Sequence, residues 1–351
     1  MDVLDLCDYY IPRDSPLLRN LTTLTWYGNG SPEVVLTGDQ LLDILRMSPK
    51  LQSLSLQGIL PPSIPNGVVS LPSLRDLSLD SHSYSEALVG LDLCNHIIFS
   101  EKTRLHLYIP YLSYTLTLAN AIYSCLSRWF DPSSSVTNPR LLNTLRLEDD
   151  RKDLDLLVQA WYDPIPLMDL LEQERYKLTT TLTTPIYIHF EYEDNDDSWP
   201  PYPQLMTTIV QTVPFTRLET LDIRQFPSYR NALETLLRSV CWIGTLKNLL
   251  VGEVHAYRVV NVLHFGIAAL DGGAESSTAT MLPFPALETL VLACVDFVRD
   301  DDIPFMPSLL DALTARSKPL SKLYIRKCHQ FPKDGAGLLK GIVGDVDWDG
   351  L

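Results

Sequence analysis

A six-residue leucine pattern, L-x-x-L-x-L, recurs along this 351-residue chain and constrains its fold more than any other feature. Seven full copies, three of which end in Ile or Val instead of Leu, begin at Leu51, Leu74, Leu142, Leu218, Leu246, Leu287 and Leu320. An earlier copy begins at Leu21, and the second half of the pattern alone occurs at 105–107 and 186–188. Chance spacing of a common residue does not explain so many copies with similar flanking signals, so we interpret the pattern as a repeat.

The second half of each copy alternates apolar and polar residues, which is typical of a β-strand with one buried face. In the copy that begins at Leu51, Leu54 and Leu56 point one way while Ser53 and Ser55 point the other way. One such strand cannot bury its apolar side alone, so we expect the copies to stack side by side. Some spacings fit the roughly 20–29 residues of leucine-rich repeats, and longer ones imply inserted loops.

Helical patterns lie between the copies. After Thr37, apolar residues at helical spacing continue to Met47, and Pro49 then ends the segment. Further helices are predicted at 85–95, 116–130, 154–161, 167–176, 204–212, 231–240, 257–270 and 307–316. Proline precedes several copies closely, which favours a change from helix to strand because proline lacks an amide hydrogen and disfavours helix in the residue before it.

Strand and helix in alternation predict parallel strands joined by right-handed crossovers. The predicted fold is therefore α/β, a leucine-rich-repeat solenoid or horseshoe with strands on the concave face and helices on the convex face. We expect one irregular repeat domain over 1–351. Within it we expect an N-terminal edge at 1–20, about ten repeats with insertions over 21–325, and a C-terminal cap at 326–351.

The charge of the chain is strongly acidic, with a formal net charge of -15 at pH 7. This balance argues against nonspecific binding to nucleic acid or to anionic membranes, both of which need clustered positive charge. The uncharged stretch 105–127 is long enough to span a bilayer, but Pro110 and its many Ser and Thr residues argue against a membrane helix. Acidic residues concentrate in loops, which is typical of solvated charge; the alternative is an acidic surface that meets a basic partner.

The six cysteines form no C-x-x-C pair, and most fall at apolar positions of the repeat. They predict buried free thiols in a reducing compartment. Met1 is followed by acidic residues rather than by a basic region, so we expect no secretory signal and a cytoplasmic or nuclear location.

Motifs that carry chemistry do not occur in the sequence. It contains no phosphate-binding loop, dinucleotide-binding turn, zinc-protease helix or nucleophile elbow. The glycines at 335–341 are interpreted as part of a terminal helix, and Cys94 with His96 supplies too few ligands for zinc. The acidic run 194–197 lacks the glycine and distal glutamate of a calcium loop. We therefore expect no catalytic residues, no metal, no cofactor and no enzymatic activity.

Several segments resemble the leucine-rich-repeat region of fungal F-box proteins, especially those of mushroom-forming fungi. They are PKLQSLSL at 49–56 with DQLLDIL at 39–45 before it, SPLLRNLTTL at 15–24, and VDWDG at 346–350. The copy at Leu320 also continues to Cys328 at its ninth position, as in the signature L-x-x-L-x-L-x-x-C/N, and Asn29 fills that position in the first copy. The ninth side chain is expected to bond backbone inside the turn.

The resemblance covers nearly the whole chain and implies a substrate receptor. In that family an F-box, a short helical module, docks on a Skp-type adaptor of a cullin ubiquitin ligase, and the repeats hold the target protein. Residues 1–15 are too few for an F-box, and no Leu-Pro-x-Glu start occurs. We therefore do not expect the adaptor to bind these residues. Either the sequence is a truncated product, or the protein binds targets without a ligase link.

The third, fifth and seventh positions of each copy are predicted to face outward on the concave wall. Arg and Tyr are frequent hot spots of protein interfaces. The candidate partner-binding residues at these positions are Asp76, Asp80, Arg146, Glu148, Asp222, Arg224, Tyr324 and Arg326. We expect Arg224→Glu with Arg326→Glu to weaken partner capture and to leave the melting temperature nearly unchanged.

The copies at Leu246 and Leu287 place apolar residues, Leu250, Val291 and Ala293, at outward positions. An apolar patch there favours either a binding groove or a covering loop.

Three functions remain open from the sequence. The first is a non-catalytic protein-binding module related to F-box receptors. The second is a structural or self-associating solenoid without a dedicated ligand. The third is an enzyme or small-molecule binder on the same scaffold, which a deep pocket with convergent polar groups and shifted titratable residues would favour.

Overall fold

The computed structural model describes residues 3–9, 11–12, 15–28, 36–100, 102–110, 116–130, 142–150, 155–172, 186–191, 202–226, 230–271, 283–298 and 305–350. Within these residues the chain forms a mixed α/β structure with one large, mostly parallel sheet. The strands are β1 Val3–Cys7, β2 Thr23–Tyr27, β3 Ser53–Gln57, β4 Val69–Leu71, β5 Asp76–Asp80, β6 Ile97–Phe99, β7 Arg104–Ile109, β8 Thr144–Asp150, β9 Asp155–Trp161, β10 Ile186–Glu191, β11 Thr220–Gln225, β12 Asn248–Gly252, β13 Thr289–Ala293, β14 Lys322–Arg326 and β15 Asp345–Trp348.

The helices follow the strands along the chain. The α-helices are α1 Gly38–Arg46, α2 Tyr84–His96, α3 Leu116–Phe130, α4 Leu167–Glu172, α5 Tyr202–Thr212, α6 Arg230–Val240, α7 Ala256–Phe265, α8 Phe305–Thr314 and α9 Gly335–Lys340. Short 3-10 helices lie at Pro16–Leu18, Phe215–Arg217, Glu253–His255 and Gly266–Asp271. No helix in the described ranges is long and apolar enough to cross a bilayer.

Each full copy of the leucine pattern forms a strand that begins at its third residue, as predicted. Neighbouring strands pair in the same register, so the second leucines of the copies lie side by side, as Leu54 and Leu77 do. The third leucines do the same, as Leu56 and Leu79 do. Both rows are buried in the main core, together with the apolar faces of the helices. The repeat therefore builds a sheet with one face fully packed.

Helix α1 shows how local sequence sets these elements. Thr37 caps its first turn, because the Thr37 hydroxyl accepts from the Gln40 N–H at 3.3 Å and the Gln40 side chain accepts from the Thr37 N–H at 2.9 Å. Leu41, Leu42 and Leu45 then face the core. The helix ends at Arg46, before Pro49, as the sequence predicts.

The predicted helix at 154–161 is wrong, because these residues form the strand β9. Leu156, Val158 and Ala160 are buried in the main core, and Leu157 and Trp161 are buried on the opposite face. A strand buried on both faces is a continuous apolar run, whose periodicity does not distinguish it from a buried helix.

The order of strands in the sheet also departs from a simple stack. It runs β1-β2-β3-β5-β7-β10-β9-β8-β11-β12-β13-β14-β15, and β4 pairs with β6 in a separate two-stranded sheet. After β7 the chain passes to β8, returns through β9 and β10, and then continues at β11 beside β8. Strand β9 is antiparallel to both of its neighbours, so the expectation of parallel strands throughout is wrong at this point.

Polar side chains at the ends of the repeats bond the backbone of neighbouring repeats. The buried Thr103 hydroxyl donates to the Leu74 carbonyl at 2.7 Å, and the buried Ser48 hydroxyl accepts from the Leu21 N–H at 3.2 Å. The Cys328 thiol, at the ninth position, lies 3.4 Å from the Arg326 carbonyl of its own turn, as the repeat signature implies, and 3.5 Å from the Leu292 carbonyl of the neighbouring repeat. Asn29, the other ninth-position residue, lies outside the described residues.

The cysteines are free, and Cys94, Cys125, Cys241 and Cys328 are buried as predicted. Burial raises the pKa of the Cys241 thiol to about 12 and that of the Cys328 thiol to about 11, in each case against backbone hydrogen bonds that lower it. Cys7 and Cys294 are exposed.

Gly252 is required by the close approach of β11 to β12. A Cβ atom at this position would overlap the carbonyl oxygen of Arg224, next to the irregular register of β11 between Asp222 and Gln225. We expect Gly252→Ala to lower the free energy of unfolding by about 1–3 kcal/mol, because backbone must shift to make room. Urea denaturation measures this loss.

Gly337→Ala is the control, since no heavy atom lies within 4 Å of an added Cβ there. In helix α9 this change should be neutral or stabilising by up to about 1 kcal/mol. Equal effects of the two substitutions would contradict the role given to Gly252.

Candidate functional site

The outward face of the sheet, opposite the main core, has an open half. It is formed by the outward residues of β2, β3, β5, β7 and β10, all of which are half-buried or exposed. We call this surface the open strip, and its members are Thr23, Thr25, Tyr27, Ser53, Ser55, Gln57, Asp76, Ser78, Asp80, Arg104, His106, Tyr108, Tyr187, His189 and Glu191. Its polar and aromatic composition suits a protein–protein interface that retains ordered water molecules.

Aromatic and histidine rings pack edge-to-face at the centre of the open strip. His106 meets Tyr187 with 4.5 Å between ring centroids, and Tyr108 meets His189 at 4.9 Å. His106 Nδ1 also lies 3.4 Å from the Ser78 hydroxyl, and the Tyr108 hydroxyl donates to the Glu191 carboxylate. These contacts fix the rings in place, which lowers the entropy cost of using them for binding.

The charges of the open strip are mainly acidic. Asp76 forms an ion pair with Arg104. Burial raises the pKa of the Asp80 carboxyl, against the lowering effect of His82 and His189 nearby. Burial, with a smaller contribution from His189, lowers the pKa of His106. Asp80 and Glu191 thus make this surface acidic, and the lowered pKa of His106 favours the neutral form of that ring near neutral pH.

The other half of the outward face is covered by residues 161–172, which we call the cover segment. Trp161, Ile165 and Leu170 of this segment form a second apolar cluster with outward residues of β12, β13 and β14. Those outward residues are Leu250, Val291 and Tyr324, which are 0, 0 and 7% exposed. The covering interpretation is therefore confirmed for Leu250 and Val291, whereas Ala293, the third apolar outward residue, lines a cavity.

A buried ion-pair cluster lies beside the cover segment. Arg224 binds Asp222 through two hydrogen bonds, from Nη2 to Oδ2 at 2.7 Å and from Nε to Oδ1 at 3.0 Å. Arg146 binds Glu148 at 3.0 Å and approaches Asp222 at 3.8 Å. Arg224 Nη2 also donates to the Leu170 carbonyl of α4 at 2.6 Å, so the cluster ties the cover segment to the sheet.

Asp222 and Arg224 are charged at neutral pH. Burial raises the pKa of Asp222, but attraction and hydrogen bonds from Arg224 and attraction from Arg146 outweigh burial and hold this pKa below its ordinary value. Burial lowers the pKa of Arg224, but Asp222, Glu148 and Cys294 outweigh burial and raise it. Removal of one member would leave the charge of another buried without compensation.

A cavity of about 520 Å³ lies between the cover segment and the carboxyl ends of the strands, a size that fits a small molecule. Met168 and Leu171 of α4 line one side. Asp222 and Cys294 line the strand side. Its basic lining residues are Arg146, Arg224, Arg326 and Lys327.

The structure divides the predicted site residues between the two halves. Asp76 and Asp80 lie in the open strip, and Arg224 and Arg326 are partly buried at the cavity. Four others also lie at outward positions, but the cover segment and the ion-pair cluster bury them. They are Arg146, Glu148, Asp222 and Tyr324, which are 4, 3, 1 and 7% exposed. Their predicted role in partner binding stays untested.

The expectation for Arg224→Glu with Arg326→Glu changes accordingly. Arg224 holds Asp222 and the Leu170 carbonyl, and Arg326 Nη1 donates to the Asp347 carbonyl at 2.8 Å. The double change would place a new carboxylate against the buried Asp222. We therefore expect it to lower the melting temperature, so it does not separate partner binding from stability.

The sequence did not single out the rings of the open strip or the cover segment. The incomplete copies at 105–107 and 186–188 were a signal for the rings, because they predicted strands whose outward residues include His106 and Tyr187. The apolar residues at outward positions of β12 and β13 predicted a cover or a groove, but nothing local indicated which segment would supply it.

Comparison with known proteins finds no protein-family model that matches the chain and no curated protein that matches it.

Proposed function

We propose that this chain is a non-catalytic protein-binding module, a leucine-rich-repeat solenoid that resembles the substrate-recognition part of an F-box receptor. The stacked strands in equal register, with the leucines inward and the helices packed on the same side, support the solenoid. In this proposal the open strip is the surface that holds the target protein.

The observation that carries the proposal is the contrast between the two halves of the outward face. In the C-terminal half, apolar outward residues pack against the cover segment. The open strip has no such cover among the described residues, and it presents fixed Tyr and His rings. Aromatic residues that lose little side-chain entropy on binding are enriched at interface hot spots.

The proposed target presents a basic segment to the open strip. Asp80 and Glu191 lie there, while the cation Arg104 is paired with Asp76. The net charge of -15 adds long-range attraction for a basic partner. Capture should then weaken as salt is raised, because the contacts are partly exposed.

The ligase link is the part of the proposal that rests on resemblance alone. Recovery of a Skp-type adaptor with the chain would support it. Recovery of other proteins without the adaptor would favour a stand-alone binding module, in the cytoplasm or nucleus.

The test removes two rings of the open strip. His106→Ala with Tyr187→Ala should reduce capture of the target on the order of 30-fold, the effect of losing a hot spot of about 2 kcal/mol. Tagged full-length chains are incubated with host lysate, and the recovered proteins are compared by quantitative mass spectrometry.

The matched control removes two exposed rings on the helical side, Tyr123→Ala with Phe265→Ala, which are 51 and 57% exposed. It should recover the same proteins as the unchanged chain. If the open-strip variant keeps its melting temperature and recovers those proteins equally well, the open strip is not the binding surface.

A second candidate function is favoured by one observation. The cavity beside the cover segment combines convergent polar groups with Asp222 and Arg224, whose pKa values are shifted. This combination is typical of small-molecule sites.

A further inference from the structure

The cavity beside the cover segment has an apolar side and a charged side. Met168 and Leu171 of α4, together with Ala293 at the end of β13, supply the apolar side. The charged side comes from the carboxyl ends of β11 and β14 and from β8. A ligand that fits both sides must itself be amphiphilic.

The carboxylates around the cavity are mostly engaged by the protein. Both oxygens of Asp222 accept hydrogen bonds from Arg224. Asp349 accepts from the Lys327 backbone N–H at 2.6 Å, and Glu172 is exposed at the end of α4. Arg326 is paired outside the lining, with Asp347 at 2.9 Å. Both oxygens of Asp222 and one oxygen of Asp349 therefore already accept hydrogen bonds from the protein.

Arg146 differs from these groups. It is 4% exposed, lines the cavity, and binds Glu148 through Nη2. Its Nη1 is buried and has no hydrogen-bond partner in the part of the chain that the structure describes. A buried guanidinium N–H without an acceptor is costly, and such groups in native proteins normally bind water, an ion or a ligand.

We propose that this cavity binds a small molecule in which a carboxylate or phosphate group is attached to an apolar portion. In this proposal Arg146 Nη1 donates to the oxyanion, and Lys327, which also lines the cavity, adds a second cation. Arginine suits this role because its planar fork matches both kinds of oxyanion. The apolar portion packs on Met168 and Leu171. This site is independent of the open strip.

Cys294 provides the readout, because it is exposed and lines the cavity, while the exposed Cys7 lies on β1 at the far edge of the sheet. The full chain is treated with iodoacetamide, and alkylation of the two thiols is followed by peptide mass spectrometry. The probes are phenylacetate, phenyl phosphate, inorganic phosphate and, as the uncharged match, phenylacetamide.

A probe at ten times its Kd should slow alkylation of Cys294 about tenfold and leave that of Cys7 unchanged. Protection by phenylacetate alone, or by phenyl phosphate alone, supports the site and identifies the oxyanion. Protection by inorganic phosphate alone overturns the apolar half of the proposal.

Two variants test the residues. Lys327→Asn removes a lining cation and suits the left-handed backbone there, with φ 51°. Arg146→Met with Glu148→Gln removes the anchor together with the charge it balances. In both variants the probe concentration needed to protect Cys294 should rise at least about tenfold, because one charge-assisted contact is lost. Lys318→Asn, an equal charge change at a site outside the lining, should keep protection.

The proposal is overturned if no probe protects Cys294 at about 10 mM, above the range of weak fragment binding. It is also overturned if phenylacetamide protects as well as phenylacetate does. If Lys327→Asn and the folded variant Arg146→Met with Glu148→Gln both keep full protection of Cys294, these residues do not bind an oxyanion and that half of the proposal is wrong.

Discussion

Asp222→Asn is expected to lower the free energy of unfolding by about 3–5 kcal/mol, the cost of leaving a buried charge without its partner. Asp222 is 1% exposed and carries both hydrogen bonds of the Arg224 fork. The substitution keeps the shape of the side chain but leaves the partly buried Arg224 guanidinium without its main counter-charge. Chemical denaturation of the two chains at neutral pH measures the difference.

The same substitution should loosen the cover segment. Arg224 positions its Nη2 between Asp222 and the Leu170 carbonyl of α4. When Asp222 no longer holds the guanidinium, we expect faster hydrogen exchange in 161–172 than in the unchanged chain, and little change in the open strip.

The contribution of Asp222 depends on pH with a defined sign. Its pKa in the folded chain lies below the ordinary value of 3.8, so the unfolded chain binds the proton more readily. The stabilisation is therefore complete above that ordinary value and is lost as pH falls through the folded pKa. The Asn variant should show a shallower loss of stability in this acid range.

Asp76→Asn is the matched control, because Asp76 forms its ion pair with Arg104 on the open strip, where the two side chains are 38 and 41% exposed. An exposed pair contributes about 0–1 kcal/mol, so this variant should unfold close to the unchanged chain. Equal losses in the two Asn variants would contradict the buried cluster.

Val291→Asp should lower the free energy of unfolding by about 4 kcal/mol or more, because it buries a carboxylate in an apolar cluster. Val291 is 0% exposed and packs with Leu250 and Tyr324 beneath the cover segment. If the cover segment detaches instead, the loss of unfolding free energy should be smaller, but residues 161–172 should become accessible to protease. Urea denaturation and limited proteolysis together distinguish these two results.

Ser55→Asp is the control at the equivalent position, since Ser55 and Val291 are both the fifth residue of their leucine copies. Ser55 lies on the open strip and is half-buried, so a carboxylate there remains hydrated and should cost about 0.5 kcal/mol. If Val291→Asp is as mild as Ser55→Asp, the cover segment does not pack on β13 in solution.

Local sequence patterns predicted most of the secondary structure. The helix at Leu116–Phe130 and the start of each full-copy strand agree with the prediction, because amphipathic period and proline position are local properties. The prediction of a helix at 154–161 is wrong, because a strand that is buried on both faces has no amphipathic period that distinguishes it from a buried helix.

The candidate site was predicted only in part. The outward positions of the leucine copies were read correctly as one face of the sheet. The exposure of these positions could not be predicted. Ser78 and Val291 occupy the same position in the repeat, but the cover segment packs on Val291 and not on Ser78.

The sequence by itself determined the repeat, the strand register and the inward face, because each leucine copy carries its own period of two. The tertiary structure alone decided where β8, β9 and β10 enter the sheet, and that the segment after β9 folds back over β12 to β14. That contact joins residues distant in sequence, such as Leu170 and Leu250, and no local period encodes a long-range pairing of apolar surfaces. The buried Arg146 and its cavity are consequences of that same contact.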